Sequence, residues 1–196
     1  MRLVPLCAIA WIAAVSPAFA EGITIVLDFQ GARSEQSVAE MKREFAGIMR
    51  DSRLRFEFRS RSQAEQTSFS DVLIVRFKGK CVFEPVPYLL DERGPMAFTY
   101  STDGAVQPFS EVACDQVTQA IRPAMAGGDF AKADILLGRA LGRVLAHEVV
   151  HILSKSGRHG TSGVAKTALS GSQLIAPVLR LEPGDLERIT GPASRR

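Results

Sequence analysis

The sequence predicts an α+β domain in which a mixed β-sheet is backed by one early helix and one long, buried helix. Two patterns support this fold class: a β-α-β order opens the chain, and a proline-free apolar stretch covers residues 136–153. Hydrophobic residues make up 46% and charged residues 23% of the 196 residues, which is a globular composition. The length favours one domain with a small appended lobe.

The first half of the chain alternates strand and helix patterns. Residues 23–29 form a β-branched run typical of a buried strand. Ser37 and Glu40 have the spacing of a helix capping box, and residues 54–59 alternate apolar and charged side chains as a half-buried strand does. The polar residues 60–70 predict a loop. The predicted helix has an apolar stripe made of Val38, Met41, Phe45, Ile48 and Met49.

The middle of the chain predicts further strands and a hairpin. Residues 71–77 predict a strand, and residues 81–84 a short one. Thr102-Asp103-Gly104 separates the apolar runs 96–101 and 105–109, and Asp-Gly between two such runs is a hairpin signal.

The remaining residues predict two helices and an irregular C-terminal lobe. Ser110 is placed to cap a helix that starts at Glu111 and bends or ends at Pro123. The longest helix is expected over residues 131–156, with apolar side chains around most of its circumference. Residues 157–196 show little periodicity and predict a small, loop-rich lobe.

Residues 1–20 have the pattern of a secretory signal peptide. An apolar run over residues 3–15 is followed by Ala18-Phe19-Ala20, an A-x-A cleavage site. The run is too short to span a bilayer, so an uncleaved membrane anchor is the weaker alternative. We therefore expect an exported mature domain of residues 21–196, periplasmic or secreted, with no stable membrane insertion after cleavage.

The net charge and the cysteines indicate which partners and which redox environment the chain has. The net charge of +3 is modest and the basic residues are scattered, so the sequence predicts no nucleic-acid partner. Removal of the leader leaves Cys81 and Cys114, and an even pair in an exported chain favours a disulfide. Two buried free thiols are the alternative.

The three histidines of the chain lie close together, and two belong to the sequence His147-Glu148-Val149-Val150-His151. In a helix, positions i and i+4 are neighbours on one face, so both imidazoles can reach one zinc ion at about 2.0–2.1 Å. Glu148 is rotated about 100° away and can act as general base toward a zinc-activated water. A chance match with two core histidines is the alternative.

This motif, followed by a glycine turn and His159, resembles the zincin metallopeptidases, and most of all their metzincin branch. It is also similar to uncharacterised exported bacterial zincin-like proteins with His-Glu-x-x-His, a seven-residue gap and His. The close resemblance covers residues 140–166. It implies a zincin-like fold with an N-terminal lobe, residues 21–156, and a small C-terminal lobe, residues 157–196.

The same resemblance implies a site and a substrate. Zinc is expected to bind His147, His151 and His159, with its fourth position open to water. Glu148 is the expected general base. The implied substrate is a protein or peptide, and the implied activity is that of a metalloendopeptidase.

The chain departs from the metzincin spacing H-E-x-x-H-x-x-G-x-x-H. Ser154 stands where its glycine would be, Gly157 where its third histidine would be, and His159 comes two residues later. Gly157 is expected to end the helix and to reverse the chain. No methionine follows Met125, and Ala165 takes the place of the Met-turn methionine.

Several alternatives remain open at this point. Glu182 and Glu187 compete with the third histidine, as in zincins where a downstream glutamate completes the site. Zinc could also hold the C-terminal lobe of a non-catalytic exported binding protein, and a metal-free binding domain requires the motif to be accidental. The sequence assigns no role to Tyr88 or Tyr100. The strand at 96–101 is expected to be a sheet edge that pairs with an extended peptide.

Overall fold

The computed structural model describes residues 22–66, 68–69, 71–84 and 94–191. The expected signal peptide and its cleavage site lie outside these residues, so export by this leader stays a prediction. Within the described residues, no helix combines the length and the apolar character needed to cross a membrane.

A five-stranded mixed sheet forms one layer of the fold. Its strands are β1 (Ile23–Phe29), β2 (Phe56–Ser60), β3 (Val72–Lys78), β4 (Ala97–Thr102) and β5 (Ala105–Ala113). They lie in the order β2-β1-β3-β5-β4, so β4 forms one edge of the sheet. The pair of β5 and β4 is antiparallel, and the other pairs are parallel. Asp103 and Gly104, both with positive φ, close the predicted hairpin. The predicted α+β class with a mixed sheet is confirmed.

Helices cover the sheet and enclose a single hydrophobic core. They are α1 (Glu35–Met49), α2 (Arg61–Ala64), α3 (Cys114–Ile121), α4 (Ala133–Ser154), α5 (Gly171–Ile175) and α6 (Pro183–Thr190). Short 3-10 segments occupy Arg50–Ser52, Arg122–Ala124 and Gly127–Lys132. The longest helix, α4, is buried on most sides and packs against α1, α3, α5, α6 and the sheet.

Helix α1 begins earlier than the Ser37–Glu40 capping box predicted. Ser34 is the N-cap, and its Oγ accepts a hydrogen bond from the backbone N–H of Ser37 at 3.4 Å. Ser37 is buried and donates its hydroxyl to the carbonyl of Asp134 at 2.9 Å. Because a partner on α4 takes up the hydroxyl of Ser37, the capping-box prediction was wrong.

The prediction that Ser110 caps a helix was also wrong. Ser110 lies within β5, opposite Thr99 of β4, and α3 begins only at Cys114. Pairing with two neighbouring strands extends β5 through Ala113. Sheet hydrogen bonds therefore outweigh the local capping preference of a serine.

Other segments differ from the prediction on a smaller scale. Residues 61–64, expected in a loop, form one helical turn that Ser60 and Gln63 cap reciprocally. Cys81 makes an isolated bridge with Arg33 instead of starting a strand. The C-terminal segment contains the helices α5 and α6, which are too short to give a clear helical period in the sequence.

Helix α4 is two residues shorter at each end than the predicted 131–156. Lys155 ends it in the left-handed conformation, with φ 48°, and its backbone N–H bonds to the carbonyls of His151 and Ile152. Gly157 was expected to make this reversal and does not. The chain therefore turns back directly after the last helical residue.

Two glycines of α4 allow α1 to cross it at close range. A Cβ added to Gly138 would lie 2.4 Å from the carbonyl oxygen of Ser37, and one added to Gly142 would lie 2.7 Å from that of Met41. Real Cβ atoms do not approach backbone oxygens this closely, so the crossing requires residues without side chains at both positions.

Arg143 ties α4 to its neighbours from a fully buried position, with a side chain that is 0% exposed. Its guanidinium donates to Glu44 Oε1 at 2.7 Å and to the carbonyls of Gln173 and Ala176 at 2.5 and 2.7 Å. Burial lowers the pKa of Arg143, and the bond to Glu44 acts in the opposite direction. Because the guanidinium contacts residues of α1 and α5 at once, it fixes the rotation of α4 between them. Removing either partner of a buried ion pair typically costs about 3–5 kcal/mol.

The predicted disulfide between Cys81 and Cys114 is present. The two Cα atoms are 4.9 Å apart, and both side chains are buried. The bond joins the segment after β3 to the first residue of α3. A closed loop of this length stabilises the fold by about 3–4 kcal/mol through the unfolded state.

We predict that Gly138→Ala destabilises the protein by about 1–3 kcal/mol, because the added Cβ overpacks the crossing with α1. Gly47→Ala in α1 is the matched control. Its Cβ would meet nothing within 4 Å, so this change should raise stability by about 0.5–1 kcal/mol. Denaturant titration gives both free energies of unfolding, and equal stabilisation by the two changes would contradict the close crossing.

Candidate metal centre

Helix α4 places two histidines one turn apart on the same face. His151 is buried, with 8% exposed, and His147 is half-buried. Their Nε2 atoms lie 3.0 Å apart, as expected for positions i and i+4 whose rings point to a common centre.

The other nitrogen of each ring is held by a backbone carbonyl. His147 Nδ1 lies 2.9 Å from the carbonyl oxygen of Val164, and His151 Nδ1 lies 2.8 Å from that of Ser156. A carbonyl only accepts hydrogen bonds, so these partners assign the ring proton to Nδ1 in both histidines. Each Nε2 is then an unprotonated lone pair that faces the other.

The reversal at Lys155 brings the third histidine over the first two. The ring centroid of His159 lies 5.2 Å from that of His147 and 4.7 Å from that of His151. One nitrogen from each ring can be chosen so that all three lie within 4.8 Å of one another. We call these residues the three-histidine cluster. His159 is the most exposed of the three, so the cluster opens to solvent on its side.

The geometry of the cluster fits a bound metal ion. Two lone pairs at 3.0 Å repel each other unless a cation lies between them. Two nitrogens bound tetrahedrally to one zinc ion lie about 3.3 Å apart, close to this separation. Burial lowers the pKa of His147 to about 4, against the Val164 carbonyl and the charge of Asp185, so that ring is neutral at neutral pH. The three residues can therefore hold a metal ion.

The two glutamates considered as alternative ligands do not belong to this cluster. Glu182 is the exposed residue before α6, and Glu187 is exposed within that helix. Within the described part of the chain, the group able to hold a metal consists of His147, His151 and His159 alone.

Glu148 lies beside the cluster without belonging to it. Its side chain is 4% exposed, and its Oε2 accepts a hydrogen bond of 2.6 Å from Thr99 Oγ1 on the edge strand β4. The Thr99 hydroxyl also lies 2.7 Å from Ser110 Oγ on β5. Burial raises the pKa of Glu148 to about 7, while the hydrogen bond from Thr99 acts to lower it. The site therefore offers a carboxylate suited to taking up and releasing a proton near neutral pH.

A cleft runs past Glu148 and His147 between β4 and residues 166–169. It has two adjoining chambers, of about 420 and 300 Å³, which share the walls formed by Ala97, His147, Glu148 and Thr167. The larger chamber also contains His151 and His159, and the smaller one is lined mainly by apolar side chains. The walls of the smaller chamber include Met96, Val144, Ala168 and Leu169.

The turn over residues 160–166 contacts the cluster through the Val164 carbonyl, which holds His147. Gly160 N–H bonds to the carbonyl of Ala165 at 2.8 Å, and Val164 and Ala165 are both buried. Ala165, which the resemblance places at the Met-turn position, thus follows directly after the residue whose carbonyl holds His147.

The remaining sequence candidates are placed outside the cleft or outside the described residues. Tyr100 donates its hydroxyl to Glu111 Oε2 at 3.2 Å and does not line the cleft, and Tyr88 is not among the described residues. Thr99, Ser110 and Asp185 were missed by sequence reasoning. The sequence carried no signal for the pair Thr99 and Ser110, because the two residues face each other only through a register shift between Thr99 and Ser101.

Comparison of the chain with protein-family models, with curated proteins and with solved structures found no match. The function is therefore inferred from the site itself. Its elements are three convergent imidazoles, an adjacent buried carboxylate and an open cleft.

We predict that His147→Ala, His151→Ala and His159→Ala each lower the affinity for zinc, because each removes one of three nitrogen ligands. Glu182→Ala and Glu187→Ala are the matched controls and should leave it unchanged. Elemental analysis of the purified variants, with chelator competition for the affinity, makes the comparison. Loss of zinc on changing a glutamate, with His159→Ala unaffected, would assign the third ligand to that glutamate.

Proposed function

We propose that this chain is an exported zinc-dependent hydrolase, a metalloendopeptidase with a zincin-like fold. The observation that carries the proposal is the combination of the three-histidine cluster with Glu148, a buried carboxylate that is next to the cluster and is not a ligand. A mixed sheet with an antiparallel edge strand beside the motif helix supports the fold assignment. The disulfide and the expected leader support export.

The ligand set supports zinc in a catalytic role. Structural zinc sites usually have four protein ligands, whereas catalytic sites have three and keep one position open. His147, His151 and His159 supply three, and the cluster opens into the cleft. When bound in such a site, zinc polarises a carbonyl oxygen and lowers the pKa of water toward about 7.

Glu148 is the proposed proton carrier of the reaction. Thr99 engages Oε2, which leaves Oε1 as the oxygen that accepts a proton from the attacking water. Glu148 then returns this proton to the leaving amine, as a general base that becomes a general acid. The bond to Thr99 fixes the carboxylate in one orientation, and the buried surroundings keep bulk water from competing for its proton.

The edge strand β4 is the proposed binding surface for an extended peptide. It borders the cleft, and its outer side has no neighbouring strand among the described residues. An extended chain can therefore add to the sheet by main-chain hydrogen bonds, while its side chains enter the two chambers.

A non-catalytic zinc protein is the second candidate function. One observation favours it: the segment after α4 that carries His159 also holds His147 through the Val164 carbonyl, so a metal would tie this segment to α4. Structural zinc has no use, however, for a general base beside its ligands or for an open cleft. We therefore favour catalysis.

We predict that Glu148→Gln keeps zinc and lowers kcat by about 10²–10⁴, because the amide cannot accept a proton. Glutamine is nearly the same size and can still bond to Thr99, so packing should be preserved. The exposed Glu35→Gln in α1 is the matched control and should leave activity unchanged. A library of unstructured peptides identifies a substrate for the wild type, and rates are then compared at full zinc occupancy.

Two results would count against this mechanism. Equal rates for Glu148→Gln and wild type would exclude Glu148 as the base. A zinc-loaded wild type that cleaves nothing in the library would favour the binding-protein alternative.

We predict that Thr99→Val lowers kcat by about 10- to 100-fold and leaves zinc affinity unchanged. The size of the effect is that of losing one hydrogen bond to a charged group. Valine has the shape of threonine but lacks the hydroxyl that holds Glu148. Thr99→Ser keeps the hydroxyl and should restore most of the rate. If serine were as slow as valine, packing rather than the hydrogen bond would explain the loss.

A further inference from the structure

The three histidines of the cluster are not supported equally. His147 and His151 each have a backbone carbonyl on the nitrogen that points away from the cluster centre. His159 has no hydrogen-bond partner among the described residues. A metal-binding imidazole nearly always donates its other ring N–H to an oxygen, because this fixes the ring and raises its basicity.

A buried carboxylate oxygen without a partner lies close to Gly160, the residue that follows His159. Asp185 in α6 is 4% exposed, and its Oδ2 is buried with no hydrogen-bond donor, whereas Oδ1 is paired with Arg188. Oδ2 lies 3.1 Å from the position that a Cβ on Gly160 would occupy. Since Gly160 directly follows His159, the unpaired acceptor lies beside the residue with the unpaired donor.

Leaving a buried carboxylate oxygen unpaired costs about 1–3 kcal/mol or more, so a donor is expected there. His159 and Asp185 both line a cavity of about 430 Å³ next to the cluster, which leaves room for the imidazole to turn. The absence of a side chain at Gly160 lets the backbone next to His159 pass close to Oδ2.

We propose that Asp185 is a positioning residue for the metal site, accepting a hydrogen bond from the outer ring N–H of His159 when the metal is bound. The inference rests on the proposed metal site. Asp185 orients the most exposed of the three ligands. Its negative charge also offsets part of the charge that three neutral imidazoles leave on a divalent ion.

A purely structural role for Asp185 must be separated from this one. Asp185 lies in the first turn of α6, where a negative charge is favourable, and it pairs with Arg188. Glu182 provides the matched control, because it lies at the same helix end and is exposed. A change that acts only through the helix would affect folding of the metal-free protein rather than the ring of His159.

The first measurement is zinc affinity by chelator competition. Asp185→Asn should weaken zinc binding by about 10- to 100-fold, and Glu182→Gln should leave it unchanged. Unfolding of the metal-free variants shows whether each is folded. Unchanged affinity in a folded Asp185→Asn protein overturns the inference and leaves the metal site standing, whereas a wild type that binds no zinc overturns both.

The second measurement reads the proposed hydrogen bond in the wild type and needs no variant. In zinc-loaded protein with ¹⁵N-labelled histidine, the outer ring N–H of His159 should exchange slowly with water, and the same is expected for those of His147 and His151, which bond to carbonyls. Fast exchange at His159 alone overturns the inference. In Asp185→Asn, the proton of His159 should exchange faster while the other two are unchanged, an effect that a general loss of stability would not produce.

Discussion

Helix α4 is buried on most sides and yet carries Arg143, His147, Glu148 and His151, four polar side chains whose groups the surrounding structure has to satisfy. Arg143 takes its partners from α1 and from the end of α5. His147 and His151 take carbonyls from the segments that follow α4, and Glu148 takes a hydroxyl from β4. Each polar group thus fixes a different neighbour, and the elements around the site are held by the helix that carries it.

The parts of this arrangement that repeat locally could be predicted from the sequence. Strand alternation, the Asp-Gly hairpin and the i, i+4 histidines each depend on residues a few positions apart. The two capping predictions failed for the opposite reason. The hydroxyl of Ser37 is hydrogen-bonded to the carbonyl of Asp134, and that of Ser110 to the hydroxyl of Thr99. The sequence position of a serine does not reveal such a distant partner. A serine near a helix start is equally able to bond within the fold, and only tertiary packing decides between the two.

The candidate site divides in the same way. His147, Glu148 and His151 could be proposed from one stretch of sequence because a single helix sets their relative positions. Thr99 lies in β4 and precedes Glu148 by 49 residues in the sequence. Asp185 lies in a short helix with little periodicity. Their roles depend on how distant elements meet, and neither residue belongs to a motif with fixed spacing. Burial of the unpaired oxygen of Asp185 becomes visible only in three dimensions.

The position of His159 relative to α4 has a physical explanation in the turn after this helix. The helix ends at Ser154, and the left-handed Lys155 reverses the chain at once. The carbonyl of the next residue, Ser156, then holds His151 Nδ1 at 2.8 Å. The main chain after the helix therefore anchors one ring of the three-histidine cluster. It also returns the His159 ring to within 4.7 Å, centroid to centroid, of the His151 ring. A third histidine two residues earlier would fall on Gly157, directly after the residue whose carbonyl holds His151 Nδ1, so the late position of His159 is compatible with using the main chain after the helix to orient His151.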